Sequence, residues 1–393
     1  MIMLIKKNQF YIGHLNMKLK KKKIFFIYGN TPNPSLIERA LAAEDSGKYE
    51  SYIVYWARKD SDISIPFSKL LPNNRFIEIA LGDPRGNIIR RITLSILFSV
   101  KLRKKISFIN PDIIYPVNPD MLGLSFLSNL FLRKKKLVYD FQDQKGEDLN
   151  FIYKSLYKVS ALNVSTVFIR SEGFIDHIRS NNLFKKNVII KYFAEAPLGW
   201  ELFEKKYTSN NFINPLVVGY FGNIRGKKEI ESLIDAVKIV NDEGKNIKVK
   251  FAGVGSESNL VDEASKKFEF IEYLGPFDYF KHYKKLFISA DIIYAVYPTN
   301  LSNYKFHEAR RFHESIAAGI PIIVSDGTYM AKRVKDLNVG WAVNSNLTKD
   351  IQNILLEILQ KPDILKSKTS SNSLRKKHRM EFYINDLLDS FSS

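Results

Sequence analysis

Residues 304–326 read YKFHEARRFHESIAAGIPIIVSD, and the division of this stretch decides the fold. Phe306, Ala309, Phe312, Ser315/Ile316 and then Ala317–Ala318 recur at three- and four-residue spacing, which predicts a helix up to Ala318. Gly319 supplies the helix stop, and Pro321 cannot continue a helix beyond it. Ile322, Ile323 and Val324 then form a short β-branched run of the kind found in buried parallel strands, closed by the turn residues Ser325-Asp326-Gly327. Glu308 and Glu314 lie on the predicted helix beside Arg310, Arg311 and His313. At about 100° per residue they stand about 120° apart on one regular helix, so they do not stack, and a joint role requires one of them near a helix start.

The same rhythm extends in both directions. Upstream, strands are predicted at Leu216–Tyr220, Ile247–Ala252, Ile271–Leu274 and Asp291–Val296, separated by helices at Glu229–Asn241, Glu257–Phe268 and Phe280–Ser289. Residues 348–360 are a further periodic helix, and EFYINDLLDSF (381–391) is a closing one. The first half repeats the pattern. Strands are predicted at Lys23–Tyr28, Tyr52–Trp56, Phe76–Ile79, Asp112–Tyr115, Lys136–Tyr139, Thr166–Ile169 and Val188–Ile190. Helices follow Ser35 (read as the cap, with a stop at Gly47) and cover Ile88–Val100 and Met121–Leu132. Between the halves, the polar, proline-bracketed residues 194–215 read as a linker. The expected division is a basic extension (1–22), a first α/β domain (23–195), a linker (196–214), a second α/β domain (215–370) and a C-terminal helix (371–393). Two such domains in tandem enclose a cleft at the carboxyl ends of their strands, where ligands bind in sheets of this kind.

Composition narrows the chemistry. A chain of 393 residues suits two domains, and 45% hydrophobic with 26% charged residues is ordinary globular composition. The absence of cysteine excludes disulfides, thiolate metal sites and a cysteine nucleophile. The six histidines show no metal-ligand spacing. A net charge of +19 suits nucleic acid, an anionic membrane surface or an anionic small substrate, and abundant Lys, Ile and Asn throughout suits a low-GC coding bias. No apolar run has the roughly 20 residues of a membrane span, and the N-terminus lacks the apolar core of a signal peptide. The expectation is a cytoplasmic protein, with residues 1–16 an extension ahead of Met17.

Several motifs carry chemistry. In GYFGNIRGKKEIESLIDA (219–236) a strand, a turn with Gly222 and Gly226, and a helix follow one another. A helix N-terminus with Arg225 and Lys228 beside it offers N–H groups and positive charge to a phosphate; read alone, it is equally an ordinary turn with solvated bases. AGVGSES (252–258) has too few glycines for a dinucleotide fingerprint and reads as a second strand–helix turn. Glu314, one turn before Ala317-Ala318-Gly319, is placed to accept two hydroxyls such as a ribose diol, or is a solvated helix carboxylate; Glu308 and Arg311 equally suit a solvent-side pair. His307 and His313 read as packing or surface residues. YDFQDQ (139–144) ends a strand with Asp140, Gln142 and Asp143, where α/β enzymes carry ligand groups and where simple caps also occur. Arg90–Arg91, Lys101–Lys105 and Arg133–Lys136 alternate with apolar stretches, as in a membrane-surface helix; the alternative is core helices with solvated lysine ends. Nucleic acid is disfavoured, because no recognition motif accompanies the clusters.

The ordered series GNIRGKKEIESLIDA, FAGVGSE, YLGPF, SADIIYAVYP and RFHESIAAGIPIIVSD followed by NVGWAV resembles the family-4 retaining glycosyltransferases of the GT-B fold over about 215–345. The likeness extends more loosely to the Gly29–Pro34 loop, PDIIYPVNPD, KLVYDFQD and IRSEGF. The resemblance implies two Rossmann-like doubly wound domains facing a central cleft, with a C-terminal helix able to return to the first domain. It implies transfer of a sugar from a UDP- or GDP-linked donor with retention, without metal or other cofactor, onto a glycan or lipid-linked acceptor at an anionic membrane. By position, Lys228 and Arg225 would hold the diphosphate, with Gly222 and Asn223 in the same turn, and Glu314 would take the ribose. Backbone N–H groups near Ser315, Gly29 and Asn30 would serve phosphate and sugar, and Glu308 would approach the donor sugar. Asp140, Gln142 and Asp143 would lie on the acceptor side. This chain departs from the family in three places: Phe306 stands where the first of its two glutamates belongs, Asn223 where an arginine follows the turn glycine, and Gln142 near the position of a first-domain histidine. An epimerase of the same fold would need acid/base carboxylates and a cleft histidine, which the first domain lacks; a non-catalytic relative bound at the membrane is the third reading.

Overall fold

The computed structural model describes residues 20–57, 70–84, 87–129, 135–143, 151–199, 215–300, 302–344 and 347–392. Among these residues the strands form two parallel sheets. The first contains β1 (Lys22–Tyr28), β2 (Tyr49–Ala57), β3 (Phe76–Ala80), β4 (Ile113–Pro116), β5 (Lys136–Phe141), β6 (Val164–Ile169) and β7 (Ile189–Tyr192), in the order β3-β2-β1-β4-β5-β6-β7. The second contains β8 (Leu216–Phe221), β9 (Ile247–Ala252), β10 (Ile271–Tyr273), β11 (Ile292–Ala295), β12 (Ile322–Ser325) and β13 (Gly340–Val343), in the order β10-β9-β8-β11-β12-β13. Both orders reverse beside the first strand of the domain, which opens a crevice at the carboxyl ends of the strands. The predicted strands are present, several with shifted ends; Gly340–Val343, too short and glycine-led to read alone, pairs with β12 in parallel register.

Helices cover both faces of each sheet, so the strands are apolar on both sides. In the first domain α1 (Pro34–Asp45), α2 (Ile88–Ile109), α3 (Asn118–Asn129), α4 (Phe151–Ser160) and α5 (Ile175–Ser180) join the strands. Phe25 and Ile27 pack with Phe98, Leu102 and Met121 of α2 and α3. Ile24 and Phe26 face the other way, onto Leu36 and Ile37 of α1. The α1 cap is Asn33, whose side chain accepts the Leu36 N–H at 2.8 Å, and not Ser35. Pro34 at the first helical position explains the shift, because its fixed φ suits that position and it has no N–H to satisfy. The Leu130–Leu132 end of the helix predicted from Met121, the Arg133–Lys134 pair and most of the linker lie outside the described residues.

The second domain carries α6 (Lys227–Asp242), α7 (Ser258–Lys267), α8 (Tyr279–Ile288), α9 (Ser302–Phe306), α10 (Arg310–Ala318), α11 (Tyr329–Leu337), α12 (Thr348–Gln360), α13 (Asp363–Ser367) and α14 (Asn372–Lys377). The single helix predicted from Tyr304 is therefore two, broken at residues 307–309. The cause lies in the other domain. The Ser171 hydroxyl donates to the Phe306 carbonyl, which a continuous helix would offer to the Arg310 N–H, and Ala309 is extended at ψ 148°. Gly173 allows this approach, since a Cβ there would lie 2.5 Å from the Phe306 oxygen. The last helix, α15 (Ile384–Ser392), returns to the first domain, where Phe391 meets the rings of Phe26, Tyr49 and Tyr115.

Candidate functional site

On the second-domain side the site begins with two interlocked turns. Gly222 N–H donates to the Ala252 carbonyl at 2.8 Å and Ile224 N–H to the Val254 carbonyl at 3.0 Å. A Cβ on Gly253 would lie 1.8 Å from the Gly222 oxygen and one on Gly255 2.0 Å from the Ile224 oxygen, so this packing admits only glycine. Arg311 is buried beneath the turn, 3.9 Å over the Tyr220 ring, and donates to the Asn223 carbonyl at 2.8 Å. The proposed solvent-side pair of Arg311 with Glu308 is thus absent, and Arg311 instead fixes the turn.

Arg225 projects from this turn beside the stacked rings of Tyr297 and Tyr304, at 5.6 and 5.2 Å from their centroids, and its buried Nε has no hydrogen-bond partner. Lys228 is exposed in the first turn of α6, whose cap, Gly226, has no side chain to offer. The Glu229 carboxylate takes its own N–H there, and burial raises its pKa against the opposing pull of Lys228.

Across from this turn, the first domain presents Asn118, Asp143, Arg170 and Glu195. Arg170 donates to Asp143 at 2.6 Å and to Glu195 at 3.1 Å, and its charge is the strongest of those lowering the Asp143 pKa. Asp143 also receives Asn303 of α9 at 2.8 Å, which ties the domains together. His307 lies against Tyr297 and Tyr304 with its Nδ1 unpartnered. Burial and the charges of Arg170 and Arg225 hold its pKa well below the ordinary histidine value, against the pull of Asp143.

The two glutamates belong to separate networks. Glu314 Oε1 accepts from Arg310 Nε at 2.9 Å and Tyr279 OH at 2.5 Å. Arg310 crosses the cleft to both Glu38 oxygens of α1 at 2.8 Å. Burial outweighs that partner and raises the Glu38 pKa to about 7. Glu308, expected at a donor sugar, is 1% exposed; it accepts from Tyr192 of β7 at 2.7 Å and pairs with Arg333 at 3.1 Å. The two-helix break turns Glu308 toward the first domain, which the one-helix reading could not show.

Three further expectations are corrected. Asp140 is 0% exposed and forms a core ion pair with Arg39 at 3.4 Å, while Gln142 donates to it at 3.0 Å. Neither reaches the cleft, so Asp143 alone of that trio does. Ser315 is buried in mid-helix with its hydroxyl on the Ile320 carbonyl, so its N–H is not a free helix-end donor. Gly29 and Asn30 do lie in the turn after β1, where Asn30 accepts from Thr31 N–H at 2.9 Å. The sequence reading passed over Arg170 and Glu195 and took His307 for a packing or surface residue. Arg170 carried the signal used for Asp143, a polar residue just past a strand; Glu195 was hidden in the linker and His307 in the assumed helix.

Residues 203–377 match the family model of glycosyl transferases group 1. No curated protein matches the sequence. Among solved structures, Anabaena HepE in complex with UDP and glucose superposes with TM-score 0.67 at 14% identity, over 95% of this chain and 100% of that one. Sucrose-phosphate synthase from Thermosynechococcus elongatus gives TM-score 0.67 at 14% identity, over 95% and 98%. A UDP-N-acetylglucosamine 2-epimerase gives 0.64 at 13%, over 95% and 97%. With both sheets, their strand order and these likenesses in agreement, the chain has the GT-B fold, and its residues 203–377 are similar to the glycosyl transferases group 1 family.

Proposed function

We propose that the protein transfers a hexose from a UDP- or GDP-linked donor to a lipid-linked saccharide, with retention and without a metal ion, in building a bacterial surface polysaccharide such as capsule or O-antigen. The observation that carries this reading is the α6 entry of the second domain. Arg225 and Lys228 stand there beside a helix N-terminus whose cap, Gly226, contributes no side chain, and among the described residues neither is held in a salt bridge. Positive charge not taken up in a salt bridge suits a diphosphate. In the reaction the bond from the anomeric carbon to the diphosphate oxygen breaks. The acceptor oxygen bonds to that carbon on the same face, and its proton passes to an oxygen of the leaving diphosphate. Arg225 and Lys228 stabilise the charge that develops on that leaving group. Glu314, positioned by Arg310 and Tyr279, takes the ribose, and the turns at Gly29–Asn30 and Gly222–Asn223 border the donor. Asp143 faces the acceptor.

The acid-free helix α2 supports a peripheral site of action on the inner face of an anionic membrane: Phe108 is 87% exposed, and Ile88, Ile89, Ile92 and Ile96 are exposed beside six Lys and Arg residues. No helix among the described residues is long and apolar enough to cross a membrane. Incubation with UDP- and GDP-sugars and no acceptor is expected to release nucleoside diphosphate slowly, unchanged by EDTA. A protein that releases none, and glycosylates no lipid-linked acceptor, is instead a non-catalytic relative.

One observation favours a second reading. His307 places a buried, unpartnered histidine nitrogen beside Asp143 and Arg170, which is the cleft histidine that a nucleotide-sugar epimerase requires. Proton NMR of UDP-N-acetylglucosamine with the protein separates the readings, since an epimerase produces the signals of the sugar inverted at C2, whereas the slow hydrolysis of a transferase gives only those of free N-acetylglucosamine.

A further inference from the structure

A groove of about 360 Å³ lies between α2, α3 and α4, apart from the site described above. Trp56, Met121 and Leu124 form its floor, and the exposed Leu127, Leu156 and Val159 form its rim. Trp56 is stacked on Phe98 at 4.9 Å, so this wall is rigid. The volume falls within the roughly 300–1,000 Å³ of small-molecule sites. Arg91 and Asp120 line the groove as well. Asp120 accepts the N–H of Met121 at 3.0 Å. The helices α2 and α3 start at the carboxyl ends of β3 and β4, so Arg91 and Asp120 mark the end of the groove nearest the cleft. There Asn118, the first residue of α3, donates to Asp143 at 3.3 Å. Outside the groove, α2 carries exposed Ile88, Ile92 and Ile96, with six basic and no acidic residues in its 22 positions.

We propose that this groove binds the hydrocarbon chain of a single anionic lipid, with the lipid phosphate at Arg91. A flat bilayer surface rests on the outer face of α2 but cannot fill a cleft walled by three helices, whereas one chain can. The charge of α2 selects an anionic lipid, and the run of the groove toward Asn118 and Asp143 leads the lipid head to the cleft. The groove thereby provides an anchoring site for the lipid-linked acceptor; its role in turnover, though not its occupancy, rests on the reading above.

Trp56 in the wall provides the readout. Decyl phosphate brominated near its chain end is expected to quench Trp56 saturably in the full-length protein, with inorganic phosphate giving no quenching. Across octyl, decyl and dodecyl phosphates, affinity is expected to rise about fourfold per buried methylene until the groove is full. Leu156→Asp/Val159→Asp, both on the exposed rim, is expected to weaken decyl phosphate at least tenfold with unchanged thermal unfolding. Ile89→Asp/Ile92→Asp, on the outer face, is expected to weaken binding to anionic vesicles while keeping decyl phosphate. Chain-independent affinity, or full binding by the rim variant, overturns the proposal, as does loss of decyl phosphate in the outer-face variant alone. A panel of UDP- and GDP-sugars titrated into the same preparation keeps the two readings apart: chain binding without binding of any nucleotide sugar supports the groove and defeats the transferase reading.

Discussion

Glu308 is a buried carboxylate whose pKa is raised by burial to about 7 from 4.5, with Arg333 and Tyr192 opposing. The folded state therefore holds a proton that the unfolded state releases between those values. Its stabilising contribution is complete below about pH 4.5 and is lost as pH rises through 7. His313 and His378, stacked with their Nδ1 atoms 2.9 Å apart, are shifted down by burial and work in the opposite sense, losing stability as pH falls below the ordinary histidine value. Single-residue comparison separates the two. The stability of Glu308→Gln relative to the parent is expected to improve between pH 5 and pH 8, by at most roughly 3 kcal/mol. Chemical denaturation at both pH values measures it, and a constant gap would show that Glu308 stays ionised throughout. At Glu314 the residue-scale expectation concerns positioning. Tyr279→Phe removes one of two donors to Oε1 and should weaken nucleotide binding by severalfold without unfolding the protein, as read by calorimetry beside thermal melting.

At the scale of elements, the interlocked turns make the sharpest expectation. Gly253 has φ 132° and no room for a Cβ, so Gly253→Ala must push apart the Gly222–Gly226 and Gly253–Gly255 turns. A loss of more than about 2 kcal/mol is expected, with donor binding lost first; an equally stable variant with intact binding would show that the turns are not held as described. These turns also mark what the sequence could disclose. Glycine at the end of an apolar strand is a local signal, and so were the βα rhythm, the loop positions of Arg225 and Asp143 and the helix-start position of Lys228. The break at residues 307–309 was not local. Its cause is the Ser171 hydroxyl in the other domain, 135 residues away, and no periodicity within 304–318 records that. Asp140 was misplaced for the same reason: its partner Arg39 sits on a different element, and only the tertiary fold shows that the pair is sealed in the core.

For the whole molecule, the domains are joined by charges and by the returning tail. The Arg310 guanidinium links Glu38 of one domain to Glu314 of the other, so a donor that engages Glu314 acts on a residue of the domain interface. Glu38→Ala would leave Arg310 paired only within its own domain and is expected to cost about 3 kcal/mol. The tail is a separate support: Phe391→Ala opens a hole beside Phe26, Tyr49 and Tyr115 and should cost about 3–5 kcal/mol, measurable by thermal unfolding. An unchanged midpoint would mean that the first domain folds without its returning helix. The central claim is that cations at the α6 entry hold a nucleotide diphosphate, and calorimetric titration of UDP- and GDP-sugars into the parent, Arg225→Ala and Lys228→Ala tests it most directly. The account expects saturable binding of at least one nucleotide sugar to the parent, weakened roughly tenfold or more in each variant, as for loss of a charge-assisted hydrogen bond. Parent protein that binds none of them, or variants that bind as tightly as the parent, would contradict it.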